Sequence, residues 1–252
     1  MQSSDSIVII PTYNEKENIE NIIRAVFGLD KIFHILIIED NSPDGTAEIV
    51  KRLQIEFPER LFMIQREGKQ GLGTAYITGF HWAIEKKYDF IFEMDADFSH
   101  NPNDLPRLYH ACTTLGADVA IGSRYVCGVN VVNWPMGRVL MSYFASKYVR
   151  FITGIPVADT TAGFKCYRRE VLETIELDKI RFKGYAFQIE MKFMAYKSGF
   201  NIIEVPVIFI NRELGTSKMN SGIFGEAVMG VLQLKLDSFF RKYPKKHEKN
   251  IS

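Results

Sequence analysis

The most constraining feature of this chain is an alternation. Four short apolar runs rich in β-branched residues, SIVIIPT (6–12), HILIIED (34–40), LFMIQRE (61–67) and FIFEMDA (90–96), are separated by segments of helical period. The intervening stretches are EKENIENIIRAVFGL (15–29), DGTAEIVKRLQIEF (44–57) and GTAYITGFHWAIEKK (73–87). In the first of these, Ile19, Ile22, Ile23, Val26 and Phe27 recur at spacings of three and four, an apolar stripe made to lie on a sheet. Strand, helix, strand, helix requires right-handed crossovers. The expected fold is therefore α/β, a mostly parallel central sheet with helices on both faces.

The rest of the chain extends this pattern. A run DVAIGSRY (118–125) follows, then RVLMSYFASKYVRFITG (138–154), GFKCYRREVLETI (163–175), a helix around FQIEMKFMAYKSG (187–199) and a strand NIIEVPVIFI (201–210). With 252 residues, 46% of them hydrophobic, the chain can bury one sizeable core. No repeat or Pro/Ser-rich linker divides it. Residues 1–220 read as one catalytic domain, and 221–252 as an apolar helix running into a basic tail. That tail, RKYPKKHEKNIS (241–252), holds five Lys/Arg against one Glu within a formal net charge of +1. No global field points to nucleic acid. Three widely spaced cysteines, Cys112, Cys127 and Cys166, fit neither a disulfide framework nor a zinc site, so a reducing cytosol is expected. No stretch approaches 18 uninterrupted apolar residues, the length of a spanning helix.

In an open α/β sheet, ligands bind beyond the carboxyl ends of the strands. Strand one ends here in Pro11-Thr-Tyr-Asn-Glu15, strand two in EDNSPDG (39–45), and strand four in EMDADFSH (93–100). Asn41 to Gly45 suit a turn and helix start. Asp40, at the strand end, is placed to accept hydrogen bonds from a base or ribose. GKQGLGTAY (68–76) matches neither a Walker loop nor G-x-G-x-x-G, and fits a tight turn before a helix as well as it fits phosphate contact. Asp95-Ala96-Asp97 has the form D-x-D. Alone, that is a solvated turn; after a buried strand, two carboxylates suit Mg²⁺ or Mn²⁺ completed by substrate phosphates. Glu93 falls within the strand pattern and receives no role. Arg124, Arg212 and Lys218, at strand ends, suit a diphosphate or an anionic acceptor.

PTYNE, EDNSPDGT, GLGTAY, MDADFSH, GSRY, DTTAGFKCYRR, GYAFQIEM and NRELGTSK occur in one order. The set, spanning residues 6–220, resembles the GT-A-fold family 2 glycosyltransferases and, within them, the dolichyl-phosphate (polyprenyl-phosphate) mannosyltransferases. The resemblance implies transfer of mannose from GDP-mannose to a polyprenyl monophosphate, with inversion and with Mg²⁺ or Mn²⁺. By motif position, Pro11, Tyr13 and Glu15 would hold the nucleotide, with Ile38 and Asp40 beside the base or ribose. Asp95, Ala96 and Asp97 would meet the sugar diphosphate and metal, Asp97 being the stronger ligand. Arg124, Arg212 and Lys218 would contact phosphates of donor or acceptor, and Arg138 and Ser142 the acceptor phosphate. Some relatives carry Gln where Ser99 stands here.

The implied chemistry requires no protein base. A phosphate monoester has its second pKa near 6, so the acceptor is mostly dianionic at neutral pH and can attack the anomeric carbon directly. Gln188 and Glu190 suit either sugar hydroxyls or a helix surface. A lipid acceptor implies a membrane surface. Helix 138–154 places Val139, Leu140, Tyr143, Phe144 and Tyr148 toward one side, which fits lipid or core equally. The C-terminal helix and basic tail suit peripheral attachment to the cytoplasmic face. Three alternatives remain: a sister enzyme using a UDP-sugar, a catalytically silent nucleotide-sugar-binding module, and a nucleotidyltransferase. The intact acid pair argues against the second, and the absence of a Gly-rich basic loop after strand one against the third.

Overall fold

A computed structural model describes residues 4–184, 186–211 and 222–246, with side chains of 222–227 outside the description. The first half alternates β1 (Ser6–Thr12), α1 (Ile19–Phe27), β2 (His34–Glu39), α2 (Thr46–Glu56), β3 (Leu61–Gln65), α3 (Leu72–Glu85) and β4 (Phe90–Glu93). Then follow α4 (Leu105–Thr113), β5 (Val119–Ser123), β6 (Val131–Val132), α5 (Met136–Thr153), β7 (Lys165–Arg168) and α6 (Arg169–Thr174). The described chain closes with α7 (Ala186–Lys197), β8 (Ile202–Pro206), β9 (Phe209–Ile210) and α8 (Gly222–Asp237).

Seven strands form one sheet in the order β3-β2-β1-β4-β7-β5-β8. All neighbours are parallel except β7, which runs antiparallel to both β4 and β5. The order reverses direction at β1, with β2 on one side and β4 on the other. Their carboxyl ends therefore open into a crevice at a topological switch point. Right-handed crossovers put α1 and α2 over one face, which α4 also covers, so that Val8, Ile10, Ile35 and Ile37 meet Ile22, Val50 and Leu108 there. They put α3 over the other, where Ile7, Ile9, Leu36 and Ile38 meet Tyr76 and Phe80. Burial on both faces is why the strands read as continuous apolar runs rather than alternating ones.

Two local expectations change. NIIEVPVIFI is not one strand. β8 ends at Pro206, which this edge strand tolerates, and Phe209–Ile210 pairs with β6 in a separate two-stranded sheet. The segment 186–197 is not a surface helix either. Residues Ala186 through Ala195 are all buried, Gln188, Glu190 and Lys192 among them.

The C-terminal segment packs on the body. Val231 and Leu234 of α8 join the core, and the Tyr148 hydroxyl on α5 donates to the Val228 carbonyl at 3.1 Å. The tail then returns along α7. Lys246 pairs with Asp118 at 2.8 Å, Lys245 Nζ donates to the Lys197 carbonyl, and Arg241 lies 3.5 Å from Glu176. These cations are engaged by protein, not extended toward a lipid surface.

Candidate active site at the carboxyl edge of the sheet

The first two strand-end loops are laced together. Asn14 N–H donates to Ser42 Oγ (3.0 Å), Glu15 N–H to Thr46 Oγ1 (3.1 Å), and Lys16 N–H to Asp44 Oδ2 (3.1 Å). Asn14 and Asn41 both adopt left-handed backbone, φ 55° and 54°, a conformation Asn tolerates better than most residues. The fully buried Glu39 carboxylate shapes the second turn by accepting N–H from Asn41 and Ser42 (2.9 and 2.7 Å). Asp44 accepts from the Thr46 N–H and hydroxyl at the start of α2. The polar residues of 39–46 thus build the loop, as expected for its turn. Pro11 and Tyr13 are half-buried on its rim, with Lys69 Nζ 5.3 Å from the Tyr13 ring centroid. Ile38 corrects the expectation: its side chain is fully buried in the core and presents no surface to a ligand.

Asp40 is not a free acceptor. Arg66, the first residue beyond β3, grips it with two hydrogen bonds, Nε–Oδ1 2.6 Å and Nη2–Oδ2 2.8 Å. A third donor, Nη1, reaches Thr74 Oγ1 at 2.8 Å, which joins β2, β3 and the start of α3. Sequence reasoning missed Arg66, although its place at a strand end was the available signal. The glycine loop is used for packing. Gly73 N–H donates to the Lys183 carbonyl at 2.8 Å, and a Cβ there would come within 2.8 Å of the Phe182 carbonyl and the Phe187 ring.

The acids beyond β4 are unequal. The Asp95 side chain is 40% exposed in the crevice. Asp97 is nearly buried, and its Oδ1 accepts the Ser99 N–H (3.1 Å) and hydroxyl (2.6 Å). Ala96 between them is buried. His100 stacks on Phe164 at 4.9 Å, and burial pushes its pKa down to about 4. Its neutral ring accepts the Asp95 N–H at Nδ1 (3.1 Å), fixing the turn that projects both carboxylates. Asp95 and Asp97 form an all-oxygen donor pair that suits a hard divalent cation. Among the described residues, no group of three or more His, Cys, Asp or Glu side chains forms a cage. Such a cation would take its remaining oxygens from substrate phosphates and water.

Glu93 acquires a role that the sequence did not give it. Fully buried, it faces Lys165 Nζ at 3.0 Å and accepts from the Tyr167 hydroxyl (2.9 Å) and Gln188 Nε2 (2.7 Å). Gln188 also accepts from Lys165. Glu190 accepts the N–H groups of Arg181 (2.9 Å) and Phe182 (3.1 Å), and burial raises its pKa. In this structure both residues hold the interior together rather than facing a helix surface or a sugar.

Arg124, just beyond β5, is nearly buried and bound to Asp159 through Nε–Oδ2 (2.7 Å) and Nη2–Oδ1 (2.6 Å), with Nη2 also on Thr161 Oγ1 (2.8 Å). Burial alone would raise the Asp159 carboxyl; the Arg124 charge and hydrogen bonds outweigh it and hold the pKa below the ordinary value. The Arg124 guanidinium lies 5.5 Å from the Trp134 ring centroid, and that of Arg138 lies 3.9 Å away. Arg138 also donates to Asn211 Oδ1 (2.8 Å), and Ser142 is half-buried one turn along α5. Arg212 and Lys218 lie outside the described residues.

The profile of the family described as Glycosyl transferase family 2 matches residues 7–176. A polyprenol monophosphomannose synthase from Mycolicibacterium smegmatis is 46% identical over 228 residues, covering 90% of this chain and 86% of the relative. An undecaprenyl-phosphate mannosyltransferase from Micrococcus luteus is 45% identical over 225 residues, covering 89% of this chain and 91% of the relative. Among solved structures, a glucosyl-3-phosphoglycerate synthase from Mycobacterium tuberculosis with Mn²⁺ and UDP superposes with a TM-score of 0.63 at 18% identity, covering 92% of this chain and 79% of its own. A mannosyltransferase from Pyrobaculum calidifontis with GDP-Man and Mn²⁺ gives 0.59 at 18% identity, covering 97% and 68%. These two bear on the fold. The profile match and the two close relatives carry the conclusion that the chain is a glycosyltransferase and belongs to glycosyl transferase family 2.

Proposed function

We propose that this glycosyltransferase moves mannose from GDP-mannose to a polyprenyl monophosphate with inversion, giving polyprenyl β-mannosyl phosphate and GDP. The observation that carries the reading is 45–46% identity, along nine-tenths of the chain, to two enzymes named for polyprenyl-phosphate mannosyl transfer. The nucleotide lies along the laced loops of Pro11, Tyr13 and Glu15, with Asp40 acting through Arg66. Asp95 and Asp97 would hold Mg²⁺ or Mn²⁺, whose charge would offset that of the diphosphate. Arg124 contacts phosphate oxygens, as Arg212 and Lys218 would by motif position, and Arg138 and Ser142 receive the acceptor phosphate. The acceptor dianion attacks the anomeric carbon opposite the departing GDP. The protein's part is positioning and charge stabilisation, without a general base.

The lipid acceptor calls for contact with a membrane. No helix among the described residues is long and apolar enough to cross one. Helix α5 exposes Met136, Leu140, Met141, Phe144 and Phe151; α8 and the turn after it expose Met229, Leu236, Phe239 and Phe240. In this reading residues 1–220 form the catalytic unit, and 221–252 together with α5 rest peripherally on a cytoplasmic leaflet.

The test incubates purified protein with labelled GDP-mannose or UDP-sugars, Mg²⁺ or Mn²⁺, and a polyprenyl phosphate in detergent. Mannosyl lipid from GDP-mannose is expected. Transfer only from a UDP-sugar would replace the donor, and no transfer from any donor would favour a silent binding module.

A further inference from the structure

Lys192 is a fully buried cation on α7 that donates to three main-chain carbonyls: Thr160 (3.0 Å), Ala162 (2.6 Å) and Gln188 (3.1 Å). Two of these belong to the loop DTTAG (159–163). The same loop is held from the other side by Glu204 of β8, whose carboxylate accepts the N–H groups of Ala158 (2.7 Å) and Asp159 (2.9 Å). An ammonium thus takes the loop's carbonyls while a carboxylate takes its amides. With its main chain fixed at both ends, the loop turns the Asp159 and Thr161 side chains onto the guanidinium of Arg124.

For packing alone, this construction is expensive. Burying an ammonium costs more than burying an apolar chain of equal volume. What the ammonium does here, and a methionine would not, is provide a donor to each of two inward-facing carbonyls of one short loop. We propose that Lys192 and Glu204 form a main-chain clamp on residues 158–162 that positions Arg124 for its substrate phosphate. Both are positioning residues: they act through Asp159 and Thr161 and touch no substrate. The proposal rests on the reading of Arg124 as a phosphate-facing group, and its test carries one arm independent of any substrate.

That arm uses Trp134, whose ring centroid lies 5.5 Å from the Arg124 guanidinium carbon. The only other tryptophan is Trp82, so Trp82→Phe leaves Trp134 as the single tryptophan, excited selectively on the red edge of the absorption band. In that background, Lys192→Met and Glu204→Gln are expected to stay folded by near-UV circular dichroism but to shift Trp134 emission and acrylamide quenching. Mannosyl transfer should fall about 30-fold in kcat/KM for Lys192→Met. In an Arg124→Lys background the same change should cost no more than about threefold, because both act on one group. Glu204 is half-exposed on the outer strand of the sheet, so its variant keeps the test open where Lys192→Met does not fold. Folded variants with unchanged Trp134 emission, or losses that multiply with Arg124→Lys, overturn the clamp. If the wild-type protein uses another donor, transfer from that donor is scored instead. The donor assignment then fails while the Trp134 arm still decides the clamp.

Discussion

Glu93 and Lys165 are direct register partners across the antiparallel strands β4 and β7, and Lys165 Nζ lies 3.0 Å from Glu93 Oε1 with neither residue exposed. This pair carries the acid-rich strand end. The carboxylate nearest the core is neutralised from below, so only Asp95 and Asp97 are left to face the crevice. Removing one member strands the other in the interior. Lys165→Met or Glu93→Gln should each cost about 3–5 kcal/mol, and the double variant less than the sum of the two. Urea unfolding of the wild type and the three variants measures this, and strict additivity would mean that the pair is not coupled.

Asp97→Asn separates chemistry from folding. An Asn Oδ1 can still accept from the Ser99 N–H and hydroxyl, so the turn survives. The negative charge opposite a cation does not. Turnover is expected to fall at least about 100-fold with an unchanged melting temperature. Raising Mn²⁺ should recover part of it. Wild-type rates in this variant would remove the acid pair from catalysis.

Much of this arrangement was legible in the sequence, for reasons that particular residues show. The β-branched runs fixed the strands because both sheet faces are covered, as Val8 and Ile9 illustrate on opposite faces. The strand-end motifs followed from the rule that crevices lie at carboxyl ends. The partners of those motifs were not legible. Nothing local in EDNSPDG announces that Asp40 belongs to Arg66, or in GSRY that Arg124 belongs to Asp159, 35 positions away. Gln188 and Glu190 deceived for the same reason, and Lys192 received no reading at all. Polar residues at helical spacing read as a solvated face unless their buried partners, Glu93 and the loops at 160–162 and 181–182, are already in view.

The Asp40–Arg66 pair should govern donor binding. Asp40→Asn keeps one acceptor but loses the bidentate, charge-assisted grip, freeing the guanidinium to leave Thr74. The KM for the sugar nucleotide is expected to rise about tenfold with kcat little changed, the signature of uniform binding. A fall in kcat at constant KM would place the pair at the chemical step instead.

Glu190 gives a pH-dependent prediction of defined sign. Burial raises its pKa in the folded protein, and the Phe182 and Arg181 N–H groups only partly offset that. Its folded state therefore binds a proton more readily than the unfolded chain. The stabilisation is fully present below the unfolded value and is lost as pH rises through the folded one. Glu190→Gln retains an acceptor for both N–H groups and never carries charge. Its stability relative to wild type should be greatest at pH 8 and should shrink toward pH 4, which urea midpoints across that range will show. A pH-independent difference would mean that burial has not shifted the group.

The last prediction divides the C-terminal segment by function. The described part of the basic tail is docked on the body: Lys246 pairs with Asp118, and the Tyr243 ring centroid lies 6.1 Å from that of Phe193. Deleting 241–252 should therefore lower the melting temperature. In the proposed reading, lipid contact falls instead to the exposed rings, Phe144 and Phe151 on α5 and Phe239 and Phe240 beyond α8. Inserting one such ring contributes about 1.5–3 kcal/mol, so Phe151→Asp or Phe240→Asp should weaken liposome binding at least about tenfold without changing stability. Because apolar insertion is screened little by salt, raising ionic strength should reduce wild-type binding only modestly. Liposome sedimentation at two salt concentrations measures both effects. Binding that collapses in salt and survives the aspartate substitutions would return the membrane contact to the tail's cations.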